Sequence, residues 1–186
     1  SNWLLVPVGA DWTDNTHMLG FYNPLSNEGK GSYVKSETLK LIERANKNQD
    51  IPYFLILDEM NLSHVERYFA DFLSHMETPD IPFYLEGYGE LAYPANLFVV
   101  GTVNIDETTY MFSPKVLDRA NVIEFTPDEN DVLKLFNEPK QFESIPKAGA
   151  GMAKEFLKLS KEIRDGKFDE SLQPQMQKVK ELFEKI

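Results

Sequence analysis

Tyr53-Phe54-Leu55-Ile56-Leu57 is an unbroken apolar run closed by the acidic pair Asp58-Glu59, and it constrains the fold more than any other segment. The run is too short for a buried helix and lacks the alternation of a half-exposed strand. It therefore predicts a strand covered on both faces, the usual condition inside a parallel sheet. A second run, residues 97–103, has the same texture and ends at Asn104. Parallel neighbours need long crossovers, and helical spacing occurs where those crossovers must lie. Ser36 is placed to cap a helix carrying Leu39, Leu41, Ile42 and Ala45. Over residues 63–76, Val65, Tyr68, Phe69, Phe72, Leu73 and Met76 recur at three and four, which is one face of a helix.

The rest of the first 126 residues fits the same alternation. Residues 3–8 read as a strand running into a polar loop, which continues through residues 19–31. Residues 83–93 read as a hairpin turned at Gly87-Tyr88-Gly89, since glycine supplies the positive φ of a tight turn. Pro114 opens a short helix with Val116, Leu117 and Ala120, and residues 122–125 read as a last strand. Strands alternating with helices give an α/β class with a largely parallel sheet. After Thr126-Pro127 the texture changes to Lys- and Glu-rich helical spacing, at Phe156, Leu157, Leu159 and Ile163 and again at Met176, Val179, Leu182 and Phe183. The expected organisation is an α/β core over 1–126 and a small helical region over 127–186, with residues 139–151 as a loop or hinge.

Charge and composition narrow the functional classes. The 186 residues carry 19 basic and 30 acidic side chains, a formal net charge of −11. Most of that excess lies in residues 1–126, which hold 8 basic and 18 acidic groups. An acidic surface repels phosphate backbones, so no direct nucleic-acid binding is expected of this chain. With no cysteine, thiol catalysis, disulfides and Cys-based zinc sites are excluded. No apolar run approaches the length of a membrane span, so no membrane role is expected and a cytoplasmic location is.

The chemistry concentrates at Asp58-Glu59. A buried parallel strand delivers its last residues to the carboxyl edge of the sheet, where α/β proteins bind ligands. One carboxylate there can hold a hydrated Mg²⁺ and the next can orient or deprotonate a water. Asn104, at the tip of a neighbouring strand, would stand beside Glu59 and help to place that water. Plainer alternatives stay open: an acidic pair solvated at a strand end, and an Asn in an Asx-turn. His17, His64 and His75 have no metal-ligand spacing, and no Ser-His-Asp arrangement can be built.

Leu57-Asp58-Glu59-Met60-Asn61-Leu62-Ser63, the helical stretch after it, Val103-Asn104 and Val116-Leu117-Asp118-Arg119 together resemble the AAA+ domain of the McrB-type restriction GTPases, in the dynein- and MoxR-related branch. The resemblance covers roughly residues 3–126, and includes Met18-Leu19-Gly20-Phe21-Tyr22-Asn23-Pro24. It implies a partial P-loop NTPase sheet followed by a helical lid. Asp58 would be the Walker B carboxylate for magnesium, Glu59 the catalytic glutamate, Asn104 sensor 1, and Arg119 a finger reaching a neighbouring subunit's nucleotide. Arg164 is the one arginine in the lid-like region, the place of sensor 2. The hairpin at 83–93 resembles the branch's pre-sensor-1 insertion. Mg²⁺ with ATP or GTP would be the cofactor and substrate, and other AAA+ subunits in a ring and a nuclease subunit the partners.

Three departures accompany the resemblance. The family's Met-Asn-x-x-Asp motif stands here as Val103-Asn104-Ile105-Asp106-Glu107, and a run of arginines is reduced to Arg119. No G-x-x-x-x-G-K-[ST] occurs, and Glu28-Gly29-Lys30-Gly31-Ser32 follows a polar loop rather than a buried strand and is rejected as a phosphate loop. The family's phosphate loop would lie upstream of Ser1, and its strand would lie centrally, between the strand ending at Asn104 and residues 122–125. The chain is therefore expected to be a fragment or truncated relative of an NTPase, inactive alone, with sheet edges that close up or are paired by another chain. Two other functions remain: a non-catalytic protein-interaction module on a degenerate AAA+ scaffold, and a MoxR-like remodelling chaperone.

Overall fold

A computed structural model describes residues 1–104, 109–126, 128 and 151–166. The chain divides into two units, Ser1–Ala148 and Gly149–Ile186.

The first unit is α/β. Its centre is a parallel sheet of β1 (Trp3–Pro7), β4 (Tyr53–Asp58) and β7 (Leu97–Gly101), in the order β1-β4-β7. The two long apolar runs thus become neighbouring strands, with Leu55 level with Leu4 on one side and Val99 on the other. The connection from β1 to β4 carries α1 (Thr16–Leu19), the hairpin β2 (Gly20–Asn23) and β3 (Ser32–Lys35), and α2 (Glu37–Lys47). From β4 to β7 the chain passes through a 3-10 turn (Met60–Leu62), α3 (Val65–Tyr68), α4 (Ala70–Glu77) and the hairpin β5 (Phe83–Leu85) and β6 (Gly89–Leu91). After β7 comes α5 (Pro114–Leu117).

Local sequence accounts for the start of α2, and a long-range contact for the base of the sheet. Ser36 caps α2 by accepting the Leu39 N–H at 3.0 Å, while its hydroxyl donates to the Met18 carbonyl at 2.5 Å. The cap therefore also ties α2 to α1. Leu39, Leu41, Ile42 and Ala45 are wholly buried and α2 contacts both β1 and β4, so this amphipathic helix covers one face of the sheet. Buried Asn96 fixes the lower end. Its side-chain amide donates to the carbonyls of Ala45, Asn48 and Ile51, and its main-chain carbonyl accepts the first N–H of β4, from Tyr53 at 2.8 Å. Phe69, Phe72, Phe83 and Tyr93 form a ring cluster that packs α4 against the second hairpin.

Several expectations change. The single helix over 63–76 is two pieces, because Phe69 leaves helical geometry at φ −112°, ψ 10° between α3 and α4. Part of the expected loop over 19–31 is the β2–β3 hairpin; at Gly20, φ +92°, an added Cβ would lie 2.1 Å from the Val34 carbonyl oxygen. Residues 122–125 form no strand: Val122, Ile123 and Phe125 are 71%, 63% and 81% exposed. A strand exists only with a partner, and among the described residues no strand pairs with the outer edge of β7. The sheet has therefore not closed up over residues 122–125.

The second unit contributes α6 (Ala153–Arg164), which holds the expected apolar positions Phe156, Leu157, Leu159 and Ile163, with Arg164 in its last turn. The spacing at Met176 to Phe183 and nearly all of the loop expected at 139–151 lie outside the described residues. No helix among the described residues is long and apolar enough to cross a membrane.

Candidate functional site at the carboxyl edge of the sheet

Four side chains from two neighbouring strand ends meet: Asp58, Glu59, Thr102 and Asn104. The parallel register sets this up, because Leu57 stands level with Gly101, so the residues that follow both strands emerge side by side. Gly101 lies close under Met60 at this crossing. A Cβ on it would sit 2.5 Å from the Met60 sulfur, so any larger residue requires the Met60 side chain to move aside.

Glu59 does not continue β4. It turns into the left-handed region at φ 52°, ψ 50°, which is uncommon and strained for a side chain with a Cβ. Such a conformation persists only when its surroundings hold it, and the residues around Glu59 are held in series. The Leu57 carbonyl accepts the Thr102 N–H at 2.9 Å, and the Thr102 carbonyl accepts the Met60 N–H at 2.8 Å. Between them, the Thr102 hydroxyl donates to Asp58 Oδ1 at 2.7 Å and accepts the Glu59 N–H at 2.8 Å. The Glu59 side chain is thereby directed toward Asn104, whose amide donates to Glu59 Oε1 at 3.0 Å.

Asn61 locks the other side. Almost fully buried, it donates from its side chain to the Asn104 carbonyl at 2.8 Å, and its main-chain carbonyl accepts the Tyr110 N–H at 2.9 Å. Tyr68, also buried, donates its hydroxyl to the Met60 carbonyl at 2.8 Å; burial, with Glu66 nearby, raises its pKa and keeps it protonated. The Asp58 carbonyl accepts the Val8 N–H at 3.0 Å, which brings the end of β1 to the same edge. Glu59 and Asn104 face solvent and Asp58 is half-buried, so the site is open to a ligand.

The structure thus brings together three of the four residues singled out from the sequence. Arg119 is not among their partners. Its guanidinium pairs with Glu77 at the end of α4 and bonds to the Lys115 carbonyl within its own turn. The histidines are likewise committed elsewhere: His17 stacks on Trp12 and His75 on Phe83, while His64 packs at a tilt against Tyr110. Thr102 and Asn61 were not singled out as site residues. Their bonds span more than 40 positions of sequence, and the only local signal was their place at or beside a strand end.

For a divalent cation, the described residues offer no cluster of three or more His, Asp or Glu ligands. They offer one half-buried carboxylate with Oδ1 fixed by Thr102, the donor set of a hydrated Mg²⁺ that takes its remaining ligands from water and phosphate. Residues here fit that kind of ion and not a protein-caged one. Compared with models of known protein families and with curated proteins, the chain matches none.

Proposed function

We propose that this chain is part of a nucleoside-triphosphate hydrolysing module of the AAA+ kind, similar to the McrB-type GTPases, working in a ring of like subunits. The observation that carries this reading is the Asn104–Glu59 hydrogen bond across adjacent parallel strands, beside Asp58 on the same edge. In this reading Glu59 accepts a proton from, or polarises, a water at its carboxylate, and Asn104 fixes the carboxylate and the water relative to each other. Asp58 is the residue that would hold Mg²⁺, and the ion would neutralise charge on phosphate oxygens. Arg119 can serve a neighbouring subunit only after leaving Glu77. These 186 residues contain no phosphate-loop motif, so the cradle for the phosphates must be supplied by other residues.

A second reading, a non-catalytic interaction module on the same scaffold, is favoured by the outer edge of β7, unpaired among the described residues, and by the exposed apolar residues Trp3, Leu5 and Val100. The two part in a titration with fluorescent ATP and GTP analogues and Mg²⁺, made on the protein expressed from its native reading frame. NTPase function predicts Mg²⁺-dependent binding weakened at least about tenfold by Asp58→Ala, and hydrolysis lost with binding retained in Glu59→Gln. Absence of binding at millimolar nucleotide would leave the interaction module as the function.

A further inference from the structure

We propose that Thr102 is the positioning residue of this site: its hydroxyl sets both the rotamer of the Asp58 carboxylate and the left-handed turn that delivers Glu59 to Asn104. The assignment of a cation-binding role to Asp58 rests on the function proposed above; the clamp itself does not.

Thr102 bonds to four consecutive residues. Its N–H and C=O engage Leu57 and Met60, and its hydroxyl engages Asp58 and Glu59. The backbone pair would persist with any residue but proline at position 102. The hydroxyl pair would not, and it acts on the two groups that carry the chemistry. Donation to Oδ1 leaves Oδ2 of Asp58 as the oxygen without a threonine partner, so the carboxylate presents one defined face. Acceptance of the Glu59 N–H satisfies a donor that the left-handed turn removes from the strand ladder. Without it the turn at φ 52° has one fewer restraint, and the Glu59 carboxylate has no fixed starting point from which to reach Asn104. Serine can make both bonds; valine has the shape of threonine and can make neither. Thr102 is exposed, so these exchanges leave the packed core intact.

The test uses the full chain labelled with ¹⁵N, with Thr102→Val and Thr102→Ser beside wild type and near-UV circular dichroism as the check on folding. Two quantities are read: hydrogen exchange of the Glu59 amide, and broadening of nearby amides by Mn²⁺, with Asp58→Asn as the control. Thr102→Val is expected to speed Glu59 exchange by about tenfold or more, while Thr102→Ser stays within about twofold of wild type. The apparent Mn²⁺ affinity should fall by about tenfold in Thr102→Val and return in Thr102→Ser, the size of effect typical for a residue that orients a ligand. Glu59 exchange unchanged in Thr102→Val, or accelerated equally in Thr102→Ser, overturns the clamp. Should Thr102→Val lose its native spectrum, Thr102→Ala is read in the same way against Thr102→Ser. Wild-type broadening that is insensitive to Asp58→Asn overturns the cation reading of Asp58, while the exchange data still decide on Thr102.

Discussion

The two faces of the β1-β4-β7 sheet are made by the same three strands from the same kinds of residue, and they end in different environments. On one face Leu4, Val6, Tyr53, Leu55, Leu57, Leu97 and Val99 pack into the core, with Leu55 and Leu57 wholly buried. On the other, the register aligns Trp3 with Phe54 and Phe98, and Leu5 with Ile56 and Val100. There Trp3, Leu5 and Val100 are 56%, 49% and 48% exposed, and the inner residues Phe54, Ile56 and Phe98 are only half-buried. The first face is covered because α2 follows a capping serine and carries its apolar stripe back onto β1 and β4. Hydrophobic sequence made both faces ready for burial, and the availability of a helix decided which one received it.

Mutations across the two faces test this contrast most strongly. Leu55→Ala should cost about 3 kcal/mol in urea unfolding, since it removes a fully buried side chain from a packed cluster. Ile56→Ala, one residue on and pointing the other way, should cost about 1 kcal/mol. Equal costs would mean that the second face is covered in solution by another segment or another molecule. Asn96→Ala should cost about 2 kcal/mol, because the Ile51 carbonyl loses its donor and those of Ala45 and Asn48 keep only a backbone N–H.

A smaller effect is expected at the rim, where the second hairpin meets α2. The Tyr88 hydroxyl donates to Glu43 at 2.5 Å, and Lys35 pairs with the same carboxylate. Burial, then the bond to Glu43, pushes the Tyr88 phenol up to about 12 from an ordinary value of 10.0. For Glu43, burial alone would raise the carboxyl, but the bonds from Lys35 and Tyr88 outweigh it and hold the pKa below 4.5. A raised phenol stabilises the folded state below pH 10 and stops doing so as the pH rises from 10 toward 12. A depressed carboxyl stabilises above its ordinary pKa and ceases to as the pH falls through its folded value. Tyr88→Phe should cost about 1 kcal/mol at neutral pH and flatten the alkaline loss, as read by urea midpoints across pH. The smallest stability change belongs to the uncovered face. Leu5→Ser should shift the unfolding free energy by no more than about 0.5 kcal/mol. It should nonetheless reduce binding of a hydrophobic dye, and unchanged dye binding would show that this face is not what the dye sees.

Particular segments show how far the sequence could be read. The runs at 53–57 and 97–101 became neighbouring parallel strands because uninterrupted β-branched, aromatic and leucine residues leave few alternatives, and Ser36 capped its helix because that bond closes within three residues. The β2–β3 hairpin was missed since Gly20-Phe21-Tyr22-Asn23 and Ser32-Tyr33-Val34-Lys35 are short and flanked by turn-forming residues. Its support is distant: the Tyr33 ring packs against Tyr88, and its hydroxyl donates to the Leu19 carbonyl. Residues 122–125 carry strand-forming side chains, but strand is a paired state and their composition says nothing about a partner. At the site, Asp58, Glu59 and Asn104 were visible as polar residues ending apolar runs. Thr102 and Asn61 were not, because their bonds close across the sheet.

By itself, then, the sequence determined the two inner strands, the helix that Ser36 caps, and that carboxylates would gather at one edge of a parallel sheet. These follow from local sterics, hydrogen bonds of short sequence separation and the periodicity of apolar side chains. Tertiary structure decided which face of the sheet was buried, that Arg119 pairs with Glu77, and that Glu59 adopts a left-handed turn held between Thr102 and Asn104. Each of those depends on groups far apart in the chain, whose meeting is fixed only when the strands take their register.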